Sequence, residues 1–271
     1  MATLPNPLPT LAADPSGRAL GLELPAGTLL DTTDEGPWHE PLLWCAQDRA
    51  VPGGWTALEP TRRVGLLPVV LDVGDGHGGP DGWELMPGEV SYPGDHDAEE
   101  VLAEYWEECA AEGDTWPGPA APATQDPAPD ADPDMAPDPD AVAAAVADSL
   151  LEAGGPLKDP RLALVPARRS ADIPTAIGWT GPAHHEGDTA RISAVLRSWE
   201  DRFGIRVVAL GFDHLLLSVA APPTTLAEAE AVAAEHFAFC PDNIRQSADP
   251  TLRSYAERQV RDQPTWPFWW D

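Results

Sequence analysis

Between Trp116 and Asp140 the chain carries eight prolines and six aspartates in 25 positions, with almost nothing apolar beyond alanine and Met135. Each proline removes a backbone donor and restricts the residue before it, so the repeated Asp-Pro and Pro-Asp dipeptides deny this stretch a helix. The aspartates repel one another, and too few apolar side chains are present to build a core. The pattern predicts a disordered spacer over residues 116–140. It separates an acidic, strand-rich N-terminal domain, residues 1–115, from a C-terminal domain, residues 141–271. A chain of 271 residues is long enough for two domains of ordinary size.

Elsewhere the composition is that of a folded protein, with 43% hydrophobic and 23% charged residues, and the eleven tryptophans exclude a wholly disordered chain. The formal net charge of -29 is unevenly placed. Residues 1–160 hold 31 acidic against 5 basic side chains, a net of -26, whereas residues 161–271 hold 14 against 11 arginines, a net of -3. A negative field of this size repels phosphate backbones and anionic lipid, which argues against nucleic-acid and membrane partners. Its natural complement is another protein with a basic surface, although acidity also serves solubility with no partner at all. No run approaches the roughly 18 residues of a membrane span. The opening MATLPNPLPT lacks the basic and apolar regions of an export signal, so a cytoplasmic location is expected. Cys45, Cys109 and Cys240 form no CxxC pair and read as reduced, buried thiols.

Short apolar runs at residues 19–24, 28–31, 41–46 and 64–71 are punctuated by Gly, Pro and Asp, as strands in a loop-rich sheet would be. From Asp97 to Glu112, Val101, Leu102, Tyr105, Trp106 and Cys109 recur at helical spacing among glutamates, which predicts an amphipathic helix. A second helix is predicted from Asp140 to Ala153, stopped by Gly154-Gly155. The C-terminal pattern is clearer. A strand over 162–166 precedes a helix capped by Asp188, with Ile192, Val195, Leu196, Trp199 and Phe203 on one stripe, ended by Gly204. Two β-branched runs, 205–210 and 215–220, flank a hairpin turn at Gly211–His214. Thr225 and Glu228 form a capping box that opens a helix to about Phe239, and a last helix covers 250–261. The predicted class is α+β, a mixed or antiparallel sheet with helices packed on one face, beside the smaller N-terminal domain.

The segments LALVPARRSADIPTAIGW (162–179), AVLRSWEDRFG (194–204), AAEHFAFCPDNI (233–244) and the terminal FWWD (268–271) occur in this order. Together they resemble a bacterial family known only as domain of unknown function 4253, over roughly residues 160–271. The resemblance implies no activity. It implies a source among high-GC bacteria such as actinobacteria, in keeping with 15 Arg to one Lys.

Several side chains are candidates for chemistry. His184 and His185, with Glu186 and Asp188, form the densest set of potential ligands or acid-base groups in the C-terminal part; a solvated loop leading into a helix cap is the simpler explanation. His236 and Cys240 share a helix face four residues apart, a spacing for an activated thiol or for a core histidine beside a buried one. Asp213-His214 fits turn chemistry, and Asp95-His96-Asp97 fits a helix cap. In the loop DVGDGHGGPDG, Asp72, Asp75, His77 and Asp81 offer ligands suited to a hard cation, yet their spacing departs from the EF-hand pattern. No GxSxG, GxxxxGK[ST], GxGxxG after a strand or HExxH is present. The aromatic end, Trp266, Phe268, Trp269 and Trp270, either seals the core as a last strand or offers a partner-binding patch.

These features lead to the expectation of a non-enzymatic protein-binding module of the bacterial cytoplasm, immunity-like or an adaptor, without a cofactor. The alternatives are a metal-dependent or Cys/His hydrolase and a structural component of a larger assembly.

Overall fold

Burial along Leu66–Asp72 sets the architecture, because all seven residues are buried and such a strand has no face to turn to water. The computed structural model describes residues 6–74, 76–122 and 137–271. Most of the expected spacer, 123–136, lies outside the described residues, as do residues 1–5 and Asp75.

The first half runs α1 (Leu8–Ala13), β1 (Gly27–Leu30), β2 (Thr32–Thr33), β3 (Gly36–Pro37), β4 (Leu43–Arg49), α2 (Gly54–Leu58), β5 (Leu66–Asp72) and α3 (Ala98–Cys109). The second runs α4 (Pro139–Leu151), β6 (Pro160–Pro166), α5 (Ile173–Ile177), α6 (Thr189–Phe203), β7 (Ile205–Leu210), β8 (His214–Val219), α7 (Leu226–Phe239), α8 (Asp242–Arg245), α9 (Leu252–Tyr255) and β9 (Thr265–Trp269). Local chemistry explains many of the ends. Asp97 and Asp188 accept backbone N–H bonds at the starts of α3 and α6, and Thr225 with Glu228 closes a capping box on α7. Gly204 ends α6 in the left-handed region. Residues 19–24 are not a strand; a 3-10 turn at Arg18–Leu20 stands between left-handed Gly17 and Gly21.

Seven strands form one mixed sheet in the order β1-β4-β6-β5-β7-β8-β9. Its pairs are antiparallel except β5 with β7, which run parallel through Val70↔Ala209 and Leu71↔Leu210. Pro68 lies before that parallel pairing begins, so its missing N–H costs the β5–β7 ladder nothing. The class is α+β.

Three expectations need correction. The division into domains 1–115 and 141–271 does not describe the sheet, because β6 lies between β4 and β5, and β5 lies between β6 and β7. The ends of the expected spacer are also structured: Ala120 is buried and Asp138 caps α4. Nor are the helices confined to one face. Alternation along β5 sends Leu67, Val69 and Leu71 into a core with α3, α5, α6 and α7. It sends Leu66 and Val70 into a second core with Leu8, Leu11, Trp55, Leu58 and the Ala143, Val146 and Ala147 face of α4. An apolar strand needs cover on both sides, and α4 with α1 and α2 supplies the second cover. Among the described residues no helix is long and apolar enough to cross a membrane.

The five aliphatic side chains of β5, Leu66, Leu67, Val69, Val70 and Leu71, each contribute about 1.5–3 kcal/mol by burial. Without them β6 and β7 face an empty strand position. A fragment of residues 161–271 alone is therefore expected to lack a cooperative thermal transition by circular dichroism, whereas the full chain shows one. A cooperative melt of the isolated fragment would refute this dependence.

Candidate functional site

Strand β9 decides the fate of the aromatic end. Its two-residue period turns Trp266 and Phe268 inward, and Trp270 just past the strand follows the same side, all at most 3% exposed. They join Trp199, Phe203 and Phe239 in a cluster with ring centroids 4.9–5.7 Å apart for Trp199–Phe239, Trp199–Phe268 and Trp199–Trp266. The reading of Trp266, Phe268 and Trp270 as a partner-binding patch is thereby corrected: they are core. Trp269 alone of the four is exposed, at 39%.

Trp269 lines an open cavity of 380 Å3 with Pro267, Asn243, Tyr255, Ser254 and Arg258. The same region explains the end of the sheet. Asn243 Nδ2 donates to the Pro267 carbonyl at 2.6 Å, and its Oδ1 accepts the Trp269 N–H at 3.3 Å. Cys240 Sγ donates to the Trp269 carbonyl at 3.0 Å. These side chains occupy backbone groups that another strand would seek, so the edge is blunted from within.

The same bonds bear on the His236 and Cys240 pair. Burial pushes the Cys240 thiol up to about 12, so it stays protonated. His236 is fully buried, with Nδ1 3.2 Å from the Tyr255 hydroxyl and rings of Trp199, Trp266 and Phe268 around it. Burial first, and the Arg202 charge second, push its pKa down to about 3. A neutral imidazole bonded to tyrosine, beside a thiol bonded to a carbonyl, is not an activated nucleophile.

The residue immediately before His236 on α7 is one that sequence reasoning missed. Glu235 is fully buried, and Arg202 Nη1 and Nη2 donate to its two oxygens at 2.7 and 2.6 Å. Trp199 Nε1 and the backbone N–H of Ala120 donate to it as well, both at 2.6 Å, while Arg202 Nη1 also reaches the Ala120 carbonyl at 2.7 Å. This buried pair holds both backbone groups of Ala120 and so fastens the segment after α3 to α6 and α7. The available signal was a lone carboxylate within the Ala, Val and Phe face of α7.

The loop before α6 keeps its candidates apart. His184 is exposed, while the His185 ring packs 4.8 Å from Tyr105 and burial lowers its pKa. Glu186 accepts the Tyr105 hydroxyl at 2.6 Å and pairs with Arg191 at 2.7 Å. Asp188 caps α6 and accepts the Ser91 N–H at 3.1 Å; despite partial burial, these bonds and those of the Ser91 hydroxyl lower its pKa. Ser91 Oγ lies 2.6 Å from His96 Nε2, which is itself 3.8 Å from Asp188. Serine and aspartate meet the same ring nitrogen, so the carboxylate does not orient the imidazole from its far side as a triad requires. Asp97 caps α3, and His214 Nδ1 lies 3.3 Å from Asp213 in the hairpin turn.

The glycine-rich loop serves structure. Asp72 accepts the N–H groups of Lys158 and Asp159 at 2.8–3.1 Å, and His77 stacks on Phe212 with centroids 3.8 Å apart. Asp81 lies in the same loop, and Asp75 lies outside the described residues. Among the described residues no group of three or more His, Cys, Asp or Glu is placed to hold a metal ion.

A smaller cavity of 250 Å3 opens in the acidic half, between the β2–β3 hairpin and residues 85–89, with Trp38, Asp34, Glu35 and Glu89 on its walls.

The geometry of β6 to β9 accompanies a family match: the model described as domain of unknown function (DUF4253) covers residues 161–271. The C-terminal part carries this domain. Arg202, Glu235, His236, Asn243 and Trp269 all fall within the DUF4253 match, whereas β5 and Ala120 lie outside it. No curated protein and no solved structure matches the chain.

Two outcomes are expected. Glu235→Gln leaves Arg202 without its counter-charge in a buried setting and is expected to cost about 3 kcal/mol by urea unfolding, more than the paired Arg202→Met, Glu235→Leu double variant. Equal losses would remove the special role of the charge. For His236, the unfolded pKa of 6.5 exceeds the folded value of about 3, so in that window the unfolded chain binds the extra proton and stability falls as pH falls. His236→Gln is expected to reduce the slope of stability against pH between about pH 6.5 and 4.5, by up to about 1.4 kcal/mol per pH unit; an unchanged slope would refute it.

Proposed function

We propose that this chain is a non-enzymatic protein-binding module of the bacterial cytoplasm, an adaptor or immunity-like protein, whose partner presents a basic surface. The supporting observation is the segregation of unneutralised charge. Of the acidic residues in 1–160, only Glu104, Asp140 and Asp159 are paired with arginine among the described residues. Many of the rest stand on exposed loops and on the outer side of α3. Unpaired carboxylates over a fixed scaffold speed the encounter with a basic protein and select against acidic ones. The hydrolase reading loses support from the raised Cys240 thiol and from the dispersal of His184, His185 and Asp188.

The test is affinity capture from bacterial lysate on the immobilised full chain. The expected result is one stoichiometric partner of high pI whose retention falls steeply between about 0.05 and 0.5 M salt. Absence of any stoichiometric partner, or retention indifferent to salt, would overturn the proposal.

A further inference from the structure

The cavity beside Trp38 combines three features: an aromatic wall, an apolar floor and carboxylates without an ion-pair partner among the described residues. Trp38 is half-buried, and its ring tip lies against Gly88, where an added Cβ would stand 3.5 Å from it. Met86 and Pro87 supply apolar surface, while Asp34, Glu35 and Glu89 line the same cavity. None of these three carboxylates is ion-paired among the described residues.

The walls are held before any ligand arrives. The Asp34 N–H donates to the Leu85 carbonyl at 3.1 Å, the Trp38 N–H to Asp31 at 2.6 Å and the Met86 N–H to Gly178 at 2.8 Å. Gly178 sits at φ +64°, and a Cβ there would stand 2.2 Å from the Pro87 nitrogen, so loop 85–88 rests directly on the end of α5. A rigid pocket loses little entropy on binding.

The contents follow from the chemistry. An indole face with nearby carboxylates attracts a cation, and a short apolar floor accepts the methylene stem that carries one. The volume of 250 Å3 lies under the roughly 300–1,000 Å3 of free small-molecule sites. We propose that this pocket receives one arginine or lysine side chain of a basic protein. The inference rests on the protein-binding reading above and gives that reading an anchor point.

The test uses the full chain and a short, capped peptide with a single central arginine among glycine and serine, titrated while the Trp38 indole N–H is followed by NMR. The expected result is a saturable shift of that signal, stronger than with the citrulline analogue of the peptide. Trp38→Ala, read by calorimetry, is expected to weaken binding about fivefold. Joint Asp34→Asn, Glu35→Gln and Glu89→Gln is expected to weaken it about tenfold or more. The control set Glu99→Gln, Glu107→Gln and Glu112→Gln removes equal charge from α3 and the turn just after it and is expected to leave binding within about twofold. Equal losses in the control and pocket sets, or equal binding of the citrulline peptide, would overturn the pocket. If the lysate partner is retained undiminished by the Trp38→Ala and pocket-carboxylate variants, the pocket proposal fails and the broader reading stands. If the peptide binds as expected but lysate yields no partner, the broader reading fails and the cation site stands.

Discussion

The insertion of β5 between β6 and β7 is the constraint on which the rest of the molecule depends. Its two faces feed two separate cores, so the strand sets where α6 and α7 pack on one side and where α4 packs on the other. Its two edges join strands from the later part of the chain, antiparallel to β6 and parallel to β7. The DUF4253 match includes both neighbours and excludes the strand that separates them. A sheet divided in this way folds as a unit across the whole chain, because neither portion can bury its apolar strands alone.

A second link reinforces the first. The Arg202–Glu235 pair lies within the matched segment and grips the backbone of Ala120, outside it. Buried ion pairs add little net stability against apolar alternatives but impose geometry, since each partner must find the other. Here the geometry ties the path after α3 to the two principal helices, and Arg206 with Arg62 makes a similar tie to Asp140 at the start of α4. Asp140, at the end of the Pro- and Asp-rich stretch, is thus neutralised by two arginines of the folded body.

Much of the secondary structure was legible because it rests on local chemistry. Asp188, Gly204, Thr225 with Glu228 and the hairpin at 211–214 announce themselves through caps and turns, and the stripe from Ile192 to Phe203 has one period. The DUF4253 resemblance was legible for the same reason, as contiguous motifs in order. The two-domain division failed because a Pro- and Asp-rich stretch reports on local backbone preference and says nothing of which strands pair across it. The aromatic end was half legible: a last strand sealing the core was one of two readings, and only the placement of β9 with one face on the core buries Trp266, Phe268 and Trp270 and leaves Trp269 exposed.

Sequence alone determined the charge asymmetry, the helix ends, the α+β class and the relation of the last 111 residues to DUF4253, since each is a property of composition or of neighbours in the chain. Tertiary structure alone decided the strand order, the second helical layer, the burial of Glu235 and His236, and the meeting of Trp38 with residues 85–89. Those features join residues more than 100 positions apart, as Ala120 with Glu235 and Val70 with Ala209. No local pattern encodes such a pairing, because its energy arises from burial shared between distant segments.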